Sequence, residues 1–187
     1  MNQSLLAVIL NVLFFLGTAA ISAAHPPASQ SQTKAPDKQS DALAKSVHHQ
    51  IQVLPFYSVF DNIESRVDGN RVTLTGQVLR NTLKNHAEAA VKNLEGVSAV
   101  SNQIEVLPAS PSDDDLRTAI YRALFEDNVL KKYAAETVPP IHIMVKDGNV
   151  VLVGTVHDDS DRKLAGNLAS QVPNSKSLQN HLAIKSK

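Results

Sequence analysis

A run of alternating apolar and polar residues, 72–78, and its counterpart at 150–156 repeat one another in their buried positions and set the frame for reading the rest of the chain. In the first, Val72, Leu74 and Val78 share one face while Thr73, Thr75 and Gln77 share the other; Val150, Leu152 and Val156 are the counterparts in the second. Such alternation predicts a strand with one buried face. Asp68-Gly69-Asn70 and Asp147-Gly148-Asn149 precede the two runs. They predict tight hairpin turns, because Gly and Asn accept the positive φ angles such turns need. The correspondence continues without a gap from Gly76 and Gly154 through Ala87 and Ala165, Leu94 and Val172, and Asn102 and Asn180 to Val106 and Ile184. A long repeat found twice predicts two small domains, since a solenoid needs three or more units.

The flanking pattern completes each unit. Leu43, Val47, Ile51 and Leu54 recur at helical spacing behind Asp41 as N-cap, and Pro55 ends that helix. Residues 59–67 read as the first strand of the hairpin. Leu83, Ala87, Ala90, Val91 and Leu94 form one apolar stripe of a second helix capped by Asn81 or Thr82 and stopped by Gly96, and residues 97–106 supply a third strand. The order is α-β-β-α-β. After the stiff linker 107–111 it recurs, with Leu116, Ile120 and Leu124 on a helix begun by Ser112 and Asp113 to Asp115, a hairpin over 141–156, a helix capped by Asp158 to Ser160, and a last strand over 177–184. In this copy Asn174, which also tolerates the left-handed conformation, replaces the helix stop Gly96.

Before these units lies a targeting segment. Residues 5–21 are almost all apolar and lead into Ser22-Ala23-Ala24, so residues 1–24 read as a signal peptide cut after Ala24. Uncut, the run is about long enough to anchor the chain in a bilayer. In both readings the remainder lies outside the cytoplasm, in the periplasm or secreted. Residues 25–40, rich in Pro, Ser, Gln and Lys, read as a disordered linker, leaving 41–107 and 112–186 as the two domains.

Composition narrows the function. The chain has 187 residues with 18 basic and 18 acidic side chains, so it lacks the basic excess expected of a nucleic-acid protein. It has no cysteine, which removes disulfides, thiolate nucleophiles and Cys-ligated zinc. With 4% aromatic residues and no Trp, it offers no stacking platform for bases or sugars.

The helix, the Asp-Gly hairpin, Val-x-Leu-x-Gly-x-Val, the Ala-rich helix and the strand holding Val-x-Asn together resemble the BON (bacterial OsmY and nodulation) domain. The first copy matches through 72–78, Ala87, Glu95-Gly96-Val97, Val100 and Asn102; the second keeps Val150, Leu152, Gly154, Val156, Ala165 and Asn180, but has lost Gly-Val at 173–177. The resemblance implies an α+β protein of two tandem domains, each a small three-stranded mixed sheet packed by two helices. It also implies binding rather than catalysis: attachment to phospholipid or to envelope proteins, and support of envelope integrity under osmotic stress.

The residues themselves agree that no catalytic constellation, cofactor or small-molecule substrate is evident, because what repeats is Gly, Val, Leu, Ala and one Asn. Gly69, Gly76, Gly148 and Gly154 read as fold-defining, with the strand glycines 76 and 154 marking a bulge or close helix packing. Asn102 and Asn180 read as buried amides that satisfy loop backbone. His48-His49 is no metal pair, since neighbours on a helix point about 100° apart. Two surfaces remain. Lys131, Lys132 and Tyr133, following Val129-Leu130, join basic and amphipathic groups suited to an anionic membrane surface. Met144, Val151 and Val153 place aliphatic groups on the outer face of the second hairpin, where the first has Thr and Gln, and predict a face covered by the first domain or by a partner protein.

Overall fold

The computed structural model describes residues 38–136 and 138–185. The expected signal peptide and most of the expected linker therefore lie outside the described residues. Among the described residues no helix is long and apolar enough to cross a membrane.

The first domain comprises α1 (Lys38–Gln52), β1 (Asn62–Asp68), β2 (Arg71–Val78), α2 (Asn81–Lys92), β3 (Ala99–Asn102) and β4 (Glu105–Val106). The second comprises α3 (Pro111–Phe125), a 3-10 helix (Leu130–Ala135), β5 (Ile141–Lys146), β6 (Asn149–Val156), α4 (Asp159–Ser170), β7 (Ser177–Asn180) and β8 (Ala183–Ile184). In each, the middle strand pairs antiparallel with the first and parallel with the last, giving the mixed sheet. The last strand is broken rather than continuous. β3 and β4 both run along β2, and β7 and β8 both run along β6, with the interruption after the asparagine.

That asparagine holds the break together. Asn102 Nδ2 donates to the Lys84 carbonyl of α2 at 3.0 Å, and its Oδ1 accepts the Ile104 N–H freed by the interruption at 3.2 Å. Asn180 repeats both bonds with the Arg162 carbonyl at 2.8 Å and the Leu182 N–H at 3.2 Å. A half-buried amide thus satisfies both a helix and a broken strand, as buried polar groups must be satisfied.

The glycines are explained by backbone rather than by helix packing. Gly76 and Gly154 adopt φ of 108° and 114°. A Cβ there would lie 2.2 Å from the Asn62 carbonyl oxygen and 2.0 Å from that of Pro140, so only glycine fits. The hairpins differ in turn type. Gly69 alone is positive in φ in the first, whereas Asp147 and Gly148 both are in the second, the patterns of the II′ and I′ turns. Gly96 and Asn174, at φ of 89° and 70°, both take the left-handed helix stop.

Several boundaries move from their expected positions. α1 begins before Asp41, which sits in its first turn. No side chain caps α2, whose N-cap is Arg80. Ser110, not Ser112, caps α3 by accepting the Asp113 N–H, with Pro111 in the first turn. The Asp113 side chain is thereby free to serve the second hairpin. Its buried carboxylate accepts the Asp147 and Gly148 N–H groups at 2.9 Å each and pins that turn to α3.

Val72, Leu74 and Val78 pack against Val47, Ile51, Leu83, Ala87 and Val91 in the first core. In the second, Ile143, Val150, Leu152 and Val156 pack against Leu116, Ile120, Leu124 and Ala165, and this core also takes in Val59 and Phe60 from the first domain. Residues 59–61 are therefore not the start of β1. They form a strap that enters the neighbouring domain.

Candidate functional site

The segment between α1 and β1 organises both the domain junction and the exposed surface beside it. Pro55 stops the helix and sits second in a turn closed by the Tyr57 N–H donating to the Leu54 carbonyl at 3.2 Å. Phe56 follows at φ 68°. Pro followed by a positive φ is the type II pattern, whose third position favours Gly or Asn. A bulky L residue held left-handed costs about 1–2 kcal/mol. Phe56 recovers little of this by packing, since it is 71% exposed. Its ring meets the Arg80 guanidinium at 5.7 Å, and Val53, one helical turn back, is 55% exposed. The result is an aromatic tip beside a cation.

Beyond this tip the strap turns inward. Asp61 is buried, and its carboxylate accepts the Ser58 N–H at 3.1 Å, the Ser58 hydroxyl at 2.6 Å and the Leu79 N–H at 2.9 Å, tying the strap to the end of β2. So braced, the strap presents Val59 and Phe60 to the second domain. The Ile143 N–H on the free edge of β5 donates to the Val59 carbonyl at 2.8 Å, and the Phe60 ring lies 6.1 Å from that of Tyr121. The Tyr57 ring meets that of His142 at a tilt, centroids 5.6 Å apart. Burial pushes the Tyr57 hydroxyl up to about 12. Burial likewise lowers the His142 pKa, against the opposing pull of the Asp61 and Ser58 carbonyls, and its buried Nδ1 has no hydrogen-bond partner among the described residues. Glu105 and Lys146 form a surface ion pair at 2.6 Å across the same junction.

The Lys131, Lys132 and Tyr133 group is split by the structure, which corrects the expectation of a shared surface. All three lie on the 3-10 helix, but Tyr133 is only 2% exposed. Its hydroxyl donates to Asp161 at 2.5 Å and accepts the His157 N–H at 2.7 Å. His157 occupies the place that Leu79 holds in the first domain, so this tyrosine performs in the second domain the bracing that Asp61 performs in the first. Burial, with the Asp161 carboxylate beside it, raises the Tyr133 hydroxyl to about 12. Burial works against the Asp161 charge, but Lys132 at 2.7 Å and the Tyr133 hydroxyl hold the carboxyl below its ordinary range. Lys132 is thus spent on a core carboxylate. Lys131 remains at the surface, bonded to Asn128 at 3.1 Å, beside Val129, which is 47% exposed.

Of the outer-face aliphatics, Met144 is 4% exposed and Val151 and Val153 are half-buried. Gln77 of the first domain stands with Met144 and Val151 around a small cavity of about 230 Å³. Val153 lines a larger cleft of about 840 Å³ whose opposite wall is α1 and β1. Among the described residues no cluster of His, Asp and Glu could hold a metal ion. Buried Arg117 of α3 donates to the Val145 carbonyl and pairs with Asp114, a fold-supporting role.

Comparison with known proteins agrees with this architecture. The chain is 31% identical over 138 residues to the osmotically-inducible protein Y of Escherichia coli (strain K12), a match covering 67% of this chain and 65% of that relative's length. Two solved structures of CdsD, a structural protein of the type III secretion system of Chlamydia trachomatis, are also similar. The first shares 12% identity over 77% of this chain and 92% of that one at a TM-score of 0.29; the second, a C-terminal domain, shares 11% over 76% and 96% at 0.26. Likeness at those scores bears on neither fold nor function. The BON domain model matches twice, over residues 52–108 and 112–186, well over half the chain and both structural repeats. The chain belongs to the BON domain family.

Proposed function

We propose that this chain is a non-enzymatic binding module of the cell envelope that attaches to an anionic phospholipid surface through the tip formed by Phe56, Arg80 and Val53. The observation that carries this reading is Phe56: a large apolar ring in a left-handed turn position, 71% exposed, with a guanidinium 5.7 Å from its centre. Both the conformation and the exposure work against stability, and glycine would serve the turn better. A lipid interface gives such a pair a use. The ring enters the headgroup and upper acyl region while the guanidinium takes phosphate oxygens in its planar fork. Val53 widens the apolar contact, and Lys131 with Val129 offers the same chemistry on the second domain.

A binding role fits the fate of the other polar groups. Asp61, Asp113, Asp161, Arg117, Asn102 and Asn180 are all engaged in holding turns, strands and helices. The expected export signal would place the module against an envelope membrane, and the Escherichia coli relative, osmotically inducible by its name, links such a role to osmotic stress.

Co-sedimentation of the chain from His25 onward with phosphatidylglycerol and phosphatidylcholine vesicles tests the proposal. Binding should favour the anionic vesicles and weaken as salt rises, because surface attraction is screened over about 8 Å at physiological ionic strength. Arg80→Glu should reduce it at least tenfold. Equal binding to both vesicle types, insensitive to salt and to Arg80→Glu, would contradict it.

A further inference from the structure

The two repeats present the same groove in two conditions, one filled and one open. In the second domain the groove runs between α3 and the free edge of β5, and the chain's own strap occupies it. Val59 joins the core there, its carbonyl accepts the Ile143 N–H at 2.8 Å, and Phe60 packs toward Tyr121, whose ring is 4.9 Å from Phe125. The corresponding groove of the first domain runs between α1 and the free edge of β1. By the hairpin register Ser65 corresponds to Ile143, and by the buried helix stripe His48 and Gln52 correspond to Tyr121 and Phe125. Ser65, His48 and Gln52 all line the open cleft of about 840 Å³.

The backbone at that edge is poised to pair. Asp68 and Arg71 flank a two-residue turn, so Ser65, paired across from Leu74, sits at a position whose N–H and C=O point away from β2. Ile143, across from Leu152, sits at the matching position of β5 and does bond outward. On β1 the outward backbone bond among the described residues is a long one, from the Ile63 N–H to the Tyr57 hydroxyl at 3.4 Å. An open sheet edge is a template for another strand. The opposite wall of the cleft carries Pro139 and Pro140, which have no N–H to offer it. Tyr57 and His142 belong both to the cleft and to the domain junction, so the opening continues an interface already in place.

We infer that this cleft binds an extended polypeptide segment, which adds to the edge of β1 as the strap adds to β5. The lining sets the chemistry of the occupant. Where Tyr121 and Phe125 receive an aromatic residue, His48 and Gln52 offer hydrogen bonds, so the groove selects a polar side chain at the position Phe60 takes in the second domain.

The test uses an acetylated, amidated peptide of residues 57–62 carrying Phe60→Gln, titrated into the isotope-labelled chain from His25 onward and followed by amide chemical shifts. Saturable shifts should appear at Ile63, Ser65, His48 and Gln52, and Ser65→Pro should weaken binding at least tenfold. His48→Tyr with Gln52→Phe, two positions outside the buried core, should reverse the preference at least tenfold toward the peptide with the native Phe60. No saturable shift up to millimolar peptide, shifts confined to α3 and β5, or an unchanged preference in the double variant would overturn the inference.

Discussion

At the scale of single residues, the informative positions are those where a side chain does something the local fold does not require. Phe56 is one. Replacing it with glycine relieves the left-handed strain but raises the entropy of the unfolded chain and loses the Arg80 contact, terms of about 0.5–2 kcal/mol each that oppose one another. Phe56→Gly should therefore unfold within about 0.5 kcal/mol of the wild type or above it in urea; a loss greater than about 1 kcal/mol would show that the ring supports the fold. Tyr133 is the opposite case. Tyr133→Phe leaves the His157 N–H without its acceptor and the Asp161 carboxylate with Lys132 but without the hydroxyl, and should destabilise the second domain by about 1–3 kcal/mol. Its vesicle binding should match that of the wild type, since a residue 2% exposed meets no lipid. Weakened binding by a stably folded Tyr133→Phe would restore it to the surface patch.

At the scale of elements, the strap over 59–61 joins what the repeat pattern separates. Val59→Ala removes methyl groups from the second domain's core although the residue precedes β1 of the first. The expected loss is about 1–3 kcal/mol, below the value for a larger core side chain, and it should appear as faster amide exchange around Ile143. If exchange rises only in the first domain, the strap is not part of the second core. His142 gives this junction a pH dependence. Burial lowers its pKa in the folded state, so folding favours the neutral ring. Its contribution is fully present above the ordinary histidine pKa of about 6.5 and is lost as pH falls through the lower folded value. The urea midpoint should therefore fall between about pH 7.5 and about pH 5 by more in the wild type than in His142→Gln, and equal falls would assign the effect elsewhere. These elements also mark the limit of what the sequence discloses. Alternation in 72–78 locates the first hairpin because one face is buried, the repeat carries that reading to 150–156, and the Asp-Gly and Gly-Asn turns fix their ends. Val59 and Phe60 carry no comparable signal, since their partners lie on another domain and a contact between domains has no period. Tyr133 reads as a surface residue beside two lysines because Asp161, its partner, is 28 positions away. Phe56 sits where a type II turn would advertise itself with glycine, and without that glycine the turn is silent.

At the scale of the whole molecule, two copies of one fold have acquired different surroundings. The first donates a strap and displays an apolar, cationic tip; the second receives the strap and spends Tyr133 and Lys132 on its own core. The fold disfavours Phe56 whereas the proposed lipid attachment requires it, so the tip is where that proposal can be tested apart from stability. The most direct measurement is the affinity of Phe56→Gly for phosphatidylglycerol vesicles, compared with wild type at the same salt. Burial of one large side chain is worth about 1.5–3 kcal/mol, so losing it should weaken binding by roughly tenfold or more. Binding undiminished in a folded Phe56→Gly would contradict attachment through the tip.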